Sequence, residues 1–184
     1  RDAMSPYLSG VAVGLGCGGK KIHERAGGVD IRPRGGLGVG ANSDAASVAD
    51  VVCDVSQLDK FPDNSVDFIL ARHLIEHIID PIQALKEWKR VLKPQGKLMI
   101  VVPDYRFHEA ISCDPSHCHA FTPDSLCSLL EAVGDFKLQK TSRVSPGYVF
   151  AVEVKKDGRG TERLSEVSCA VGSNRNEMAL GIHS

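Results

Sequence analysis

The stretch VAVGLGCGGKKIHERAGGVD, residues 11–30, decides how this chain is read. An apolar run over residues 11–15 breaks into Gly16-Cys17-Gly18-Gly19, and a second apolar stub ends at Asp30. A β-strand running into glycines lets the backbone approach a ligand closely, because no Cβ stands in the way. Backbone N–H groups after the strand can face an anionic or polar group. A carboxylate ending the next strand can accept from both hydroxyls of a ribose. Together they point to a pocket for a nucleoside-containing cofactor at the strand C-termini of an open α/β sheet.

Gly14, Gly16 and Gly19 satisfy G-x-G-x-x-G, the dinucleotide fingerprint. That fingerprint calls for a crossover helix and an acidic residue about 20 residues on. Here nine residues separate Gly19 from Val29, and two of them are Gly27 and Gly28. An ordinary helix of about 11 residues does not fit. A glycine-rich turn without a ligand stays open at this point.

The 184 residues suit one domain with a sizeable core. With 42% hydrophobic and 24% charged residues the composition is that of an ordinary globular protein. A net charge of −1 gives no overall positive field and no strong nucleic-acid signal. No apolar run approaches the roughly 18 residues of a membrane span, and no signal peptide is visible. The six cysteines form no C-x-x-C pair, and Cys17 and Cys53 sit in apolar contexts that suit reduced thiols. A reducing, cytoplasmic setting is expected.

Working outward, residues 1–10 read as an irregular lead-in. Residues 32–50 carry Pro33, Gly35, Gly36, Gly38 and Gly40 and read as a flexible loop, with one or two helical turns over 43–49. Residues 51–55, VVCDV, have the pattern of a buried parallel strand, and residues 66–71 that of another. Asp80, Pro81 and Gln83 open a helix running to about Leu92, with Ile82, Leu85, Trp88 and Leu92 on its apolar side. Residues 93–96 stop it, and 97–102 form the most apolar strand. Thr122 and Pro123 open a second helix, with a staple from Phe121 to Leu126. Leu126, Leu129, Leu130 and Val133 face the sheet, and Gly134 ends the helix. Residues 136–144 and 148–156 read as a hairpin across Ser145-Pro146-Gly147. Residues 157–184 are a polar tail, which leaves 1–156 as the domain. The order of elements predicts an α/β fold, with a mostly parallel sheet and an antiparallel last strand.

Several stretches together resemble the type 11 group of class I S-adenosylmethionine-dependent methyltransferases. They are LGCG at 15–18, VDI at 29–31, DV at 54–55, FPDNSVDFILARHLIEHIIDP at 61–81, RVLKPQGKLMIVVP at 90–103 and HAFTPDSLCSLLEAVGDF at 119–136. The likeness spans residues 11–156 and is most specific over 61–103. It implies a Rossmann-like three-layer sandwich, seven mostly parallel strands with an antiparallel terminal strand, and S-adenosylmethionine as cofactor. Gly16 and Gly18 match the glycine loop beside the methionine part and the ribose, and Gly14 and Cys17 are counted with them as cofactor-binding candidates. Asp30 matches the acid that holds the ribose hydroxyls, with Ile31 next to it. Asp54 and Val55 match the adenine site. Ala71 and Arg72 match the fourth-strand end, where the methyl donor meets its acceptor. The chain departs from the pattern in having Gly14 where many relatives carry an acid, Lys20 in place of the third glycine, and a short first crossover.

His73-Leu74-Ile75-Glu76-His77 also fits H-x-x-E-H, an inverted zinc-peptidase motif. The pentad directly follows a strand and matches the methyltransferase pattern, so no metal site is expected. His77 reads as structural and His73 as facing the acceptor. A second cluster holds Tyr105, Arg106, His108, Glu109, Cys113, Asp114, His117, Cys118 and His119. The resemblance puts acceptor-binding groups in this loop. His73 and His119 are the candidate catalytic residues, and Arg72, Tyr105 and Arg106 the candidate acceptor-binding residues. Arg106 suits a carboxylate or phosphate. A solvated loop with no special role remains open. So do a non-catalytic S-adenosylmethionine-binding domain and a nicotinamide oxidoreductase. Neither the methyl acceptor nor the oligomeric state can be read from these residues.

Overall fold

Strands buried on both faces and joined by crossovers form a parallel sheet. The structure, a computed structural model, describes residues 4–37, 45–107, 114–144 and 147–158. Its strands are β1 (Ala12–Leu15), β2 (Gly27–Asp30), β3 (Val51–Val52), β4 (Val66–Arg72), β5 (Leu92–Pro103), β6 (Phe136–Val144) and β7 (Val149–Lys156). Two helices accompany them, α1 (Pro81–Val91) and α2 (Pro123–Val133). The strands form one sheet in the order β3-β2-β1-β4-β5-β7-β6. All neighbours are parallel except at β7, which runs antiparallel to both β5 and β6. This is the expected Rossmann-like α/β sheet. Its strand order reverses between β1 and β4, which opens a crevice at their C-terminal ends.

Each helix begins where its capping residues predict. The Asp80 side chain accepts from Gln83 N at 3.0 Å, with Pro81 at the first helical position. Thr122 and Ser125 cap each other reciprocally. Gly134 ends α2 at φ +74°, a left-handed conformation that favours glycine. The buried side of α1 is Ala84, Leu85, Trp88 and Val91, whereas Ile82 is 41% exposed. Its apolar stripe is therefore rotated from the expected one, because Ala84 and Val91 lie nearer its centre. Trp88 is fully buried, and its Nε1 donates to Val55 O at 2.8 Å.

The second face of the sheet carries a separate apolar cluster that includes Phe68, Leu70, Met99 and Val101. Among the described residues no α-helix covers it, and the third layer is the N-terminal lead-in. Met4 and Leu8 are buried there, and the Tyr7 ring stacks on Phe68 at 4.6 Å. Tyr7 also donates to Glu153 at 2.8 Å, and Lys97 pairs with the same carboxylate at 2.9 Å. Burial, then the bond to Glu153, pushes the tyrosine pKa up to about 12.

Some expectations are corrected. The third strand covers two residues rather than 51–55. Asp54 turns the chain, its side chain accepting from Ser56 N and its carbonyl from Gln57 N and Leu58 N. β5 starts at Leu92 rather than 97, because Leu92 pairs with Val66 across an irregular register. Residues 45–49 are not helical; Ser47 exchanges backbone hydrogen bonds with Gly35 and Gly36 instead. The rest of that expected turn, the hairpin residues Ser145 and Pro146, and nearly all of the 157–184 tail lie outside the described residues. Cys17, Cys53 and Cys118 are free, but Cys127 is in a disulfide, against the expectation of reduced thiols. No helix among the described residues is long and apolar enough to cross a membrane.

Replacing Trp88 by Phe keeps most of the buried ring but leaves Val55 O without its donor. Urea unfolding followed by circular dichroism should register a loss of about 1–3 kcal/mol. Equal stability in the two forms would show that the indole N–H contributes nothing.

Candidate functional site

The glycine loop leaves β1 through two left-handed residues, Gly16 at φ +63° and Gly18 at φ +52°. A Cβ on Gly16 would stand 2.8 Å from Leu74 Cδ1, so the loop is packed directly under the turn that follows β4. Cys17 N donates to Val29 O at 3.0 Å, and Val48 N donates to Gly18 O at 2.9 Å. The loop is thus held between β2 and the segment leading to β3. Cys17 itself is buried, and burial, with Asp30 and Asp50 nearby, pushes its thiol up to about 11. Gly14 lies inside β1 rather than in the loop, and its missing side chain makes room for Ile22.

Asp30 ends β2 and is 5% exposed. Its Oδ2 accepts from Gly18 N at 2.8 Å, and its Oδ1 accepts from Arg32 N at 2.9 Å. The Arg32 side chain closes on the same carboxylate, Nε at 3.2 Å and Nη2 at 3.4 Å. Burial raises the Asp30 pKa, but the bonds from Arg32 and Gly18 outweigh it and the net shift is downward. Arg32 Nη1 is buried with no hydrogen-bond partner. A guanidinium therefore fills the position where the resemblance puts ribose hydroxyls. Ile31 beside it is 68% exposed. Asp54 Oδ1 accepts from Ser56 N at 2.8 Å, and the buried Val55 uses its carbonyl on Trp88.

Across the crevice, Ala71 is buried in the core and β4 continues one residue further, to Arg72. Arg72 has no hydrogen-bond or ion-pair partner among the described residues, and burial lowers its pKa. His73 follows with φ +47° and half-exposed, its Nδ1 3.4 Å from Glu76 Oε1. Glu76 is fully buried, in a short 3-10 turn, Ile75–His77.

The candidates after β5 are already engaged. Arg106 grips the buried Asp104 carboxylate through Nε and Nη2, the shortest contact being 2.6 Å. That pairing raises the arginine pKa and holds the Asp104 carboxyl below its ordinary value despite burial. Arg106 is thus not an open anion site, because its charge is neutralised inside its own loop. Tyr105 Oη lies 2.7 Å from His117 Nδ1, and His119 Nε2 donates to Ile79 O at 3.3 Å. Cys118 N and His119 N both donate to Glu76 O. His119 is not brought to His73; His117 is the histidine that meets His77, the ring centroids being 4.7 Å apart. His108, Glu109 and Cys113 lie outside the described residues.

Sequence reasoning missed Arg32, Glu76 and His117. Arg32, two residues from Asp30, was signalled only by its spacing. Glu76 and His117 were visible as parts of two separate clusters, without any sign that the fold joins them.

The type 11 methyltransferase-domain model matches residues 13–100, which takes in the glycine loop, Asp30, Asp54 and the end of β4. Over these residues the chain is similar to S-adenosylmethionine-dependent methyltransferases. A probable S-adenosylmethionine-dependent methyltransferase of Mycolicibacterium smegmatis is 29% identical over 121 residues, 59% of this chain and 47% of that protein. The chain thus matches about half the length of that relative. A methyltransferase from Thermotoga maritima, described as a possible histamine N-methyltransferase, superposes with a TM-score of 0.61 at 21% identity, over 81% of this chain and 83% of its own. One from Aquifex aeolicus gives 0.58 at 18%, over 80% and 82%. At such identities the structural likeness speaks for the fold alone.

An NMR titration of the side-chain carboxyls tests the Asp30–Arg32 pairing. Asp30 should titrate below the ordinary value of about 3.9, and Arg32→Ala should move it upward. Because the folded-state pKa is depressed, the stability this group contributes is present above its unfolded pKa. It is lost as the pH falls through the lowered folded value. An unshifted Asp30 in Arg32→Ala would show that the guanidinium does not hold it.

Proposed function

We propose that the chain binds S-adenosylmethionine at the C-terminal ends of β1, β2 and β4 and transfers its methyl group by direct displacement. The observation that carries this reading is the hydrogen bond from Gly18 N to Asp30. It joins the left-handed glycine loop to a buried carboxylate beside the point where the strand order reverses. In this reading the ribose hydroxyls replace the Arg32 side chain on Asp30. Asp54 accepts from the adenine amino group through the oxygen that Ser56 does not use, with Val55 and Ile31 beside the base. Gly16, Cys17 and Gly18 lie along the methionine part. The exposure of Ile31 and of Val52, which is 38% exposed, supports an adenine site there.

The methyl group then points toward Ala71, Arg72 and His73. A lone pair on the acceptor attacks the methyl carbon as the carbon–sulfur bond breaks, and the sulfur leaves with that bonding pair as a neutral thioether. Holding nucleophile, methyl and sulfur in line supplies several kcal/mol of the barrier. A hydroxyl acceptor must also lose its proton, and His73 is the base for it. The buried Glu76 lies beside it, its Oε1 3.4 Å from His73 Nδ1. Arg72, rather than the already paired Arg106, is the group for an anionic part of the acceptor. A half-buried guanidinium without a partner gains from such a ligand.

Calorimetric titration separates the readings. S-adenosylmethionine and S-adenosylhomocysteine should bind and NAD should not. Asp30→Ala should weaken both by on the order of ten- to a hundredfold, the loss of a charge-assisted hydrogen bond pair net of water. Binding of NAD alone would instead favour the oxidoreductase reading. Affinity for S-adenosylmethionine without turnover on any acceptor would leave a binding domain.

Once an acceptor is found, Arg72→Ala should depress turnover of an anionic acceptor and leave S-adenosylmethionine affinity near wild type. Arg106→Ala should change turnover less. The reverse order would return the acceptor site to the loop after β5.

A further inference from the structure

Glu76 is fully buried, and neither carboxylate oxygen receives a hydrogen bond. A desolvated carboxylate is strongly disfavoured unless a cation or a proton joins it. Three imidazoles surround it, and no lysine or arginine pairs with it among the described residues. His73 stands on one side, with Nδ1 at 3.4 Å. On another, ligand atoms of His77 and His117 lie with a Glu76 oxygen in a triangle whose members are all within 4.8 Å of one another.

We propose that Glu76, His77 and His117 bind a zinc ion. One carboxylate and two imidazoles are a donor set that zinc takes readily. The rings are held as metal-ligating histidines are held, by contacts at the opposite nitrogen. His77 Nδ1 meets the Ser116 carbonyl at 3.4 Å and Oγ at 3.1 Å, and Tyr105 Oη is 2.7 Å from His117 Nδ1. The ligating atom of each ring is then Nε2. The two segments that supply the ligands are already joined, since Cys118 N and His119 N donate to Glu76 O at 2.8 and 3.1 Å. Ligands on tetrahedral zinc stand about 3.4 Å apart, so modest side-chain rotations close the triangle. This is not the H-x-x-E-H site considered from the sequence. His73 is not a ligand here, and a monodentate Glu76 leaves its second oxygen to His73. The third ligand instead comes from the segment before α2.

The test uses the full chain, without a histidine tag, stripped with a chelator and titrated with zinc against a competing chromophoric chelator. One equivalent should bind. His77→Ala and His117→Ala should each abolish stoichiometric binding, His73→Ala should retain it, and Tyr105→Phe should weaken it roughly tenfold. Cobalt in place of zinc should show the visible absorption of a four-coordinate site. Circular dichroism confirms that each variant is folded; if Glu76→Gln is not, the more exposed histidines carry the test. No stoichiometric zinc in the unaltered chain, or undiminished binding in His117→Ala, overturns the proposal. Both readouts are independent of S-adenosylmethionine, so failure of the methyltransferase reading leaves this one standing, and the converse.

Discussion

One buried carboxylate ties the cofactor end of the sheet together. Asp30 receives Gly18 N from the loop after β1 and Arg32 from the chain that follows β2, while its backbone carbonyl receives Cys53 N just beyond β3. Three strand ends are thereby set relative to one another without a crossover helix between β1 and β2. The linker between those strands instead leans on ion pairs and backbone bonds. Gly28 N donates to Asp50 at 2.9 Å, and Lys21 pairs with the same side chain. Glycine at 28 permits this approach, since a Cβ would meet Cys17 Sγ at 3.0 Å.

The Asp30 carboxylate is satisfied within the fold. Arg32 pairs with Asp30, which is cheaper than leaving a buried charge unpaired. On the proposed reading, a ribose that takes its place must offer two hydroxyls and release a guanidinium whose Nη1 has no partner among the described residues. On that reading apparent affinity depends on the population in which Arg32 has swung away. Arg72, at the end of β4, is the contrasting case of a partly buried arginine whose side chain pairs with no described residue.

Local chemistry was legible in the sequence wherever it acts over a few residues. The caps at Asp80 and Thr122, the stop at Gly134 and the terminal hairpin stand where their residues predict, while the reciprocal bond from Ser125 was not anticipated. The strand of residues 51–55 was misjudged because Asp54, an apparent interruption in an apolar run, turns the chain. The role of Met4, Tyr7 and Leu8 had no periodicity to announce it, and only the uncovered sheet face explains it. The spacing of strand and glycines brings Gly18 to Asp30, whereas Gly14 belongs to the strand. Pairings set by tertiary structure were not readable. Arg106 was taken as free for an acceptor, and nothing local shows that Asp104 neutralises it. Glu76 and His117 come from opposite sides of one helix and one strand, α1 and β5.

The account turns on whether Asp30 exchanges Arg32 for a ribose, and a crystal structure with S-adenosylhomocysteine tests this most directly. It should show both ribose hydroxyls on the Asp30 carboxylate, the Arg32 side chain displaced and the sulfur facing Ala71 and His73. A nucleoside bound elsewhere, with the Asp30–Arg32 pair intact, would contradict it.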